Sequence, residues 1–268
     1  MTLELIGYLA SILMGLSLGL LGGGGSILTV PILVYLFNIN PILATAYSLF
    51  IVGLTALFGG INYYSKGEVD LKTGFTFAIP SFIGVFLTRS LVIPRIPLKI
   101  SIFNQMEISK PILIMTVFSI IMLLASISMI RPKKEPAQAS DSSNKTKVYT
   151  ILMQGFMVGC IAGFVGAGGG FLIIPTLVVL VGLKMKRAIG TSLFIIATQS
   201  LLGFIGDVQH QVNIQWSLLF KIAFIALIGL FLGIKLSDKV SEKLLKKGFG
   251  YFVLLMGAII LIDQLRRM

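Results

Sequence analysis

The sequence predicts an all-α polytopic membrane protein built from two homologous halves. Three observations carry that prediction: an apolar excess, apolar runs of bilayer-spanning length, and a motif that returns 144 residues later. Of the 268 residues, 56% are hydrophobic and only 12% charged, with a mean hydropathy of +0.98. A soluble domain carries about a quarter charged residues and cannot hide that much apolar surface. Crossing a hydrocarbon core about 30 Å thick takes roughly 20 apolar residues of helix, and several runs reach or approach that length. Every span is expected to be helical, because an open strand in lipid leaves its backbone groups without partners.

The first span covers residues 3–21. It starts MTLELIGYLASILMG, carries Glu4 and lacks the basic start of a cleaved signal, so it is expected to stay in place. Gly22, Gly23, Gly24 and Gly25 then interrupt the pattern, followed by a shorter apolar run over 26–38 that contains Pro31. Spans at about 41–64, 71–93 and 106–130 complete the half. The polar stretch 131–147, RPKKEPAQASDSSNKTK, reads as a flexible linker. The second half repeats the order: a run over 148–166, Gly168, Gly169 and Gly170, a shorter run over 171–183 with Pro175, and spans at 188–206, 214–236 and 248–265. The expected divisions are 1–130, 131–147 and 148–268.

The repeat extends well beyond the glycines. GLLGGGGSILTVP (19–31) answers GFVGAGGGFLIIP (163–175), Ala44 pairs with Ala188, and Ser48-Leu49-Phe50 with Ser192-Leu193-Phe194. Gly59 falls on Gly203, and Gly84-Val85-Phe86-Leu87 answers Gly229-Leu230-Phe231-Leu232 after a small slip, as a tandem duplication would leave them. Whether the halves are parallel or inverted turns on how the glycine-broken element counts. With its two runs counted separately, segments 65–72, 131–147, 184–187 and 235–247 share one side and carry 0, +3, +3 and +3, a total of +9 against +2 opposite. Counting each broken element as one span gives the same totals, so charge does not decide. The first run makes roughly 28 Å of helix and spans alone, so five elements per half, and therefore inverted repeats, are expected. Both counts put the two termini on the less positive, external side of a cytoplasmic membrane.

Glycines at Gly22, Gly24, Gly25, Gly168, Gly169 and Gly170 weaken a helix by roughly 1 kcal/mol each relative to alanine, so something must compensate. Breaks at membrane depth are tolerated where protein covers them or a polar cavity reaches them. New helices are expected to start at Ser26 and around Phe171, presenting free N–H groups and a positive dipole end that suit an anion. Close helix packing is the plainer role for the same glycines, and the two can coexist. Thr45 and Ser48 in the first half, set against Thr191 and Ser192 in the second, either donate to oxyanion oxygens or bond their own helix backbone. Arg89 and Lys221 lie within apolar stretches, where a charge either serves a substrate or snorkels to the interface.

Other chemistries find no support. Cys160 is alone, so no intrachain disulfide exists, and it has no base or cation beside it to lower its pKa. His210 stands in a polar loop without clustered ligands, so no metal or other cofactor is expected. The Gly-rich runs lack a P-loop lysine, no nucleophile with base and orienter assembles, and no polar domain offers a basic face to nucleic acid despite the net charge of +12. No enzyme is expected. The expected partners are a small anionic substrate and the lipid bilayer, with a homo-oligomer left open.

The pattern GxxGxGGGxxxxP after a first span, followed by A-x-G-T-S, resembles the sulfite exporter TauE/SafE family of membrane permeases. Gly163, Gly166, Gly168, Gly169, Gly170, Pro175 and Ala188-Ile189-Gly190-Thr191-Ser192 carry the match in the second half, and Gly19, Gly22, Gly24, Gly25 and Pro31 in the first. Ala46 and Tyr47 stand where the pattern prefers Gly-Thr. The resemblance implies transport of sulfite, organosulfonates or related sulfur oxyanions. Two alternatives stand beside a permease: a non-transporting membrane component that uses its glycines for packing, and a channel or transporter for cations or neutral solutes, which would line its cavity with carbonyl oxygens.

Overall fold

A computed structural model of the chain describes residues 2–102, 106–130, 144–166, 168–208, 214–237 and 242–267. The linker expected at 131–147 lies outside these up to residue 143, as does His210. The first half runs α1 (Thr2–Leu21), a 3₁₀ stretch (Gly22–Leu28), α2 (Thr29–Pro31) passing into a π-helical turn (Ile32–Leu36), α3 (Pro41–Ser65), α4 (Leu71–Leu87) continuing through a second π-turn (Thr88–Val92) into α5 (Ile93–Arg95), a β-hairpin of β1 (Lys99–Ile102) and β2 (Met106–Ser109), and α6 (Lys110–Ile130). The second half runs α7 (Asn144–Val165), α8 (Gly170–Thr176) ending in a π-turn (Leu177–Val181), α9 (Met185–Val208), α10 (Trp216–Leu236) and α11 (Glu242–Arg267).

Among the described residues six helical stretches are long and apolar enough to cross a membrane: Glu4–Leu36, Pro41–Ser65, Leu71–Arg95, Lys110–Ile127, Met185–Val208 and Trp216–Leu236. Leu5, Leu13, Phe75, Ile79 and Phe224 face outward, more than half exposed, while Ser48, Thr55, Ser81, Gln199 and Ser200 are fully buried. An apolar exterior around a partly polar interior matches lipid as the outer solvent. The protein is an all-α polytopic membrane protein, as its composition predicts.

Glu4–Leu36 is not a straight rod. A straight helix would hold Tyr8 and Phe37 about 44 Å apart, yet their rings meet edge to face with centroids 5.3 Å apart. The chain reverses at the glycines, where Gly22 takes φ +63°, and the shorter run returns along α1. Gly25 nestles against α1, a Cβ there lying 2.8 Å from Met14 O. Gly169 sits in the same way against α7, a Cβ there lying 3.1 Å from Val158 and 3.0 Å from Ala162. Met14 and Val158 correspond under the 144-residue repeat, so each half carries a helical hairpin with a glycine tip.

The halves interlock crosswise. α1 packs along α10 through Gly15, Gly229 and Gly233, and α4 along α7 through Gly84, Gly159 and Gly163, each glycine lying against the partner's backbone. Such small-residue seams are how membrane helices approach closely. α3 packs on α9, and α6 on α11. Tyr63, near the end of α3, reaches Gly19 O at 3.5 Å, whereas a Cβ on Gly166 would lie 2.5 Å from Thr45 Cα, near the start of α3. The two hairpins therefore point at opposite ends of α3, and α1 and α7 run in opposite directions. Tyr35, on the returning arm, donates to Asp263 at 3.0 Å, so the start of α1 and the end of α11 share one end of the bundle.

The β-hairpin corrects the expected span at 106–130. Lys99 pairs with Ser109 and Ile102 with Met106, so residues 106–109 form a strand and the helix begins at Lys110. Pro111 stands in its first turn, where a proline needs no backbone hydrogen bond.

Candidate functional site

The two glycine tips meet. A Cβ added to Gly23 would collide with the backbone of Gly170, and one on Gly170 with the backbone of Gly23. Gly166, Gly168 and Gly169 take φ of +77°, +63° and +63°, a left-handed backbone that admits glycine and disfavours other residues. The tips pack backbone on backbone, so close approach is one use of these glycines. The first half departs from the expected helix start at Ser26. Gly22–Leu28 is wound as a 3₁₀ helix with Gly24, Gly25 and Ser26 buried inside it, and the α-helix resumes at Thr29. The Ser26 hydroxyl donates to Gly23 O at 2.7 Å, satisfying the tight winding from within.

A broken helix leaves carbonyls to be paired. In the second tip this falls to Gln199 of α9, which is fully buried: its amide donates to Gly168 O, and its side-chain oxygen accepts from Ser81 of α4. Sequence reasoning did not single out Gln199 or Ser81, and a glutamine at mid-span was the available signal.

Of the four expected hydroxyls, Ser192 donates to Ile189 O at 2.7 Å and Thr45 to Ile42 O at 2.8 Å, each within its own helix. A Cβ on Gly22 would lie 3.0 Å from Ser192 Oγ, so Ser192 flanks the first tip as Thr45 flanks the second. Thr191 Oγ1 accepts from the backbone N–H of Asp70 at 2.9 Å and so fixes the entry to α4. Ser48 Oγ is buried with no partner among the described residues, as is Ser200 Oγ, which a Cβ on Gly168 would approach to 3.1 Å.

Arg89 is the deepest charge described. It lies in the π-turn Thr88–Val92 and is 1% exposed, so it does not snorkel. Lys221, by contrast, is exposed, as a snorkelling lysine would be. Arg89 Nη1 donates to Thr45 Oγ1 at 3.1 Å and to the Asp207 carboxylate at 3.4 Å, while Nε and Nη2 are buried with no partner among the described residues. Asp207, the penultimate residue of α9, is 6% exposed on its inner face. The pair joins positions 118 apart in the chain and tethers the first half to the second.

Fold and site together define a multi-pass membrane protein whose interior carries polar groups at the seam between its halves. The sequence profile of the sulfite exporter TauE/SafE family matches residues 7–260. A probable membrane transporter protein of Xylella fastidiosa is 29% identical over 90% of this chain and 88% of its own length. The probable membrane transporter protein YdhB of Bacillus subtilis is 24% identical over 94% and 98%, and one from Methanocaldococcus jannaschii is 26% identical over 94% of each. No solved structure matches the chain. The chain belongs to the sulfite exporter TauE/SafE family, a family of membrane transporters rather than enzymes.

Proposed function

We propose that this protein is a secondary transporter of a small sulfur-containing anion, such as sulfite, an organosulfonate or a related oxyanion, held between its halves near the glycine tips. Residues 1–130 and 148–268 act in this reading as inverted repeats joined by the 131–147 linker, and rocking of one against the other gives alternating access. The expected setting is a cytoplasmic membrane with both termini external. Gly22, Gly24, Gly25 and Ser26 of the first tip, Gly168, Gly169 and Gly170 of the second, and Thr45, Ser48, Thr191 and Ser192 beside them would surround the path.

Arg89 is the observation that carries the proposal. A guanidinium fully removed from water is retained in a membrane only for a purpose, and its planar fork suits two oxygens of one anion. Here Nε and Nη2 lie buried and unpaired among the described residues, with Ser90 Oγ, a neighbour in sequence, likewise unpaired. The family match supports the same class of substrate.

Uptake of labelled sulfite, thiosulfate and short sulfonates into vesicles containing the purified protein tests this. Arg89→Gln is expected to lower flux of the preferred anion by at least about tenfold, equivalent to roughly 1.4 kcal/mol. Absence of flux for every sulfur anion with folded protein would leave the glycines with packing alone.

A further inference from the structure

We infer that the Asp207 carboxylate is a built-in competitor for the transported anion: it holds Arg89 while the site is empty, and an incoming oxyanion takes the guanidinium from it. The inference rests on the reading of Arg89 as the anion's partner and adds what sets the affinity and lets the anion leave.

The geometry of the pair is the first reason. A buried arginine and carboxylate that serve only structure gain most from a two-point, fork-to-fork contact that leaves no donor bare. Asp207 instead reaches only Nη1, at 3.4 Å, and shares that nitrogen with Thr45 Oγ1 at 3.1 Å. The remaining edge of the guanidinium, Nε and Nη2, stays buried and open among the described residues. Arg89 is therefore held in place without being saturated.

Position is the second. Thr45 is the residue that the second glycine tip rests on at Gly166, so a movement of that tip acts directly on the group sharing Nη1 with Asp207. Arg89 belongs to the first half and Asp207 to the second, so the contact is one that relative motion of the halves would make and break.

The third reason is that the repeat does not reproduce the device at the equivalent positions. Under the repeat, Asp207 corresponds to Tyr63, Arg89 to Ile234 and Thr45 to Ile189. All three belong to one buried apolar cluster near the opposite end of α3. A charged pair at one end and cluster residues at the equivalent positions of the other make the two ends unequal among the described residues. A transport site must bind tightly enough to load and weakly enough to release. A tethered carboxylate beside a single arginine meets both needs.

Equilibrium binding of sulfite, thiosulfate, a short alkanesulfonate, phosphate and nitrate to purified wild type, Asp207→Asn and the double variant Arg89→Gln/Asp207→Asn tests the inference. Removing the competitor is expected to tighten binding of the preferred anion by at least about fivefold, and the double variant to weaken it at least about tenfold relative to wild type. Unchanged or weaker binding by Asp207→Asn would overturn the inference. Should that variant fail to fold, the charge-balanced double variant still decides, because wild-type affinity in it would show the pair to be structural only. Tightening toward phosphate or nitrate, with no response to any sulfur anion, would uphold the competition and remove the sulfur substrate.

Discussion

At the scale of single residues, what separates the polar interior from an ordinary membrane core is how its groups are paired. Gln199 closes the second tip by joining Gly168 O to Ser81, so Gln199→Leu leaves two buried groups without partners, each worth about 1–3 kcal/mol. The expected outcome is a clearly lower unfolding temperature in detergent, with Ser81→Ala losing less. Gly170→Ala and Gly23→Ala push a methyl into the opposing backbone, and overpacking of this kind destabilises by about 1–3 kcal/mol or more. Gly169→Leu adds a side chain at φ +63° and is expected to abolish transport in vesicles, while Cys160→Ser leaves it nearly unchanged.

At the scale of elements, two hydroxyls do the same task in opposite halves. Thr191 accepts the N–H of Asp70, which caps α4, and Tyr47 accepts the N–H of Gln215, the residue that precedes α10, at 2.8 Å. Tyr47 and Thr191 correspond under the 144-residue repeat. The departure of Tyr47 from the family pattern is thus a longer arm for the same contact. Tyr47→Phe keeps the ring and removes the acceptor, at about 1 kcal/mol. Amide exchange at Gln215 and the first turn of α10 is expected to rise, with the rest of the helix unaffected. Thr191→Val is expected to do the same at Asp70.

At the scale of the molecule, the fold assigns its ends to sides. Glu4 and Arg267 lie at one end of the bundle, and Lys66, which follows α3, at the other. In a Cys160→Ser background, Glu4→Cys and Arg267→Cys are expected to react with an impermeant thiol reagent from the same side of sealed vesicles and Lys66→Cys from the opposite side. Labelling of Glu4→Cys and Lys66→Cys from one side would refute the folded-back hairpin.

Much of this architecture could be read from the chain, because its signals are local. Apolar runs, glycine clusters and Pro31 with Pro175 each announce themselves within a dozen residues, and the repeat doubles every signal. Arg89 stood out as a charge in an apolar run. Its partner does not: in the sequence Asp207 stands beside the polar stretch that follows Val208, and only the fold brings it to a residue 118 positions away. Gln199 was hidden in the same way, since its worth depends on Gly168 and Ser81 arriving beside it. The π-turn that carries Arg89 has no sequence mark, and the strand at 106–109 merges in sequence with the apolar run that follows it.

The two helix-entry contacts have a consequence for assembly. The hydroxyl of Thr191, from the second half, completes an element of the first, and that of Tyr47, from the first, completes one of the second. Neither half is finished from its own sequence. Produced as separate polypeptides cut between residues 130 and 144, the two pieces would each carry an open helix entry and a naked glycine seam that only the other can close. Co-produced, they would recover one another without any covalent joint.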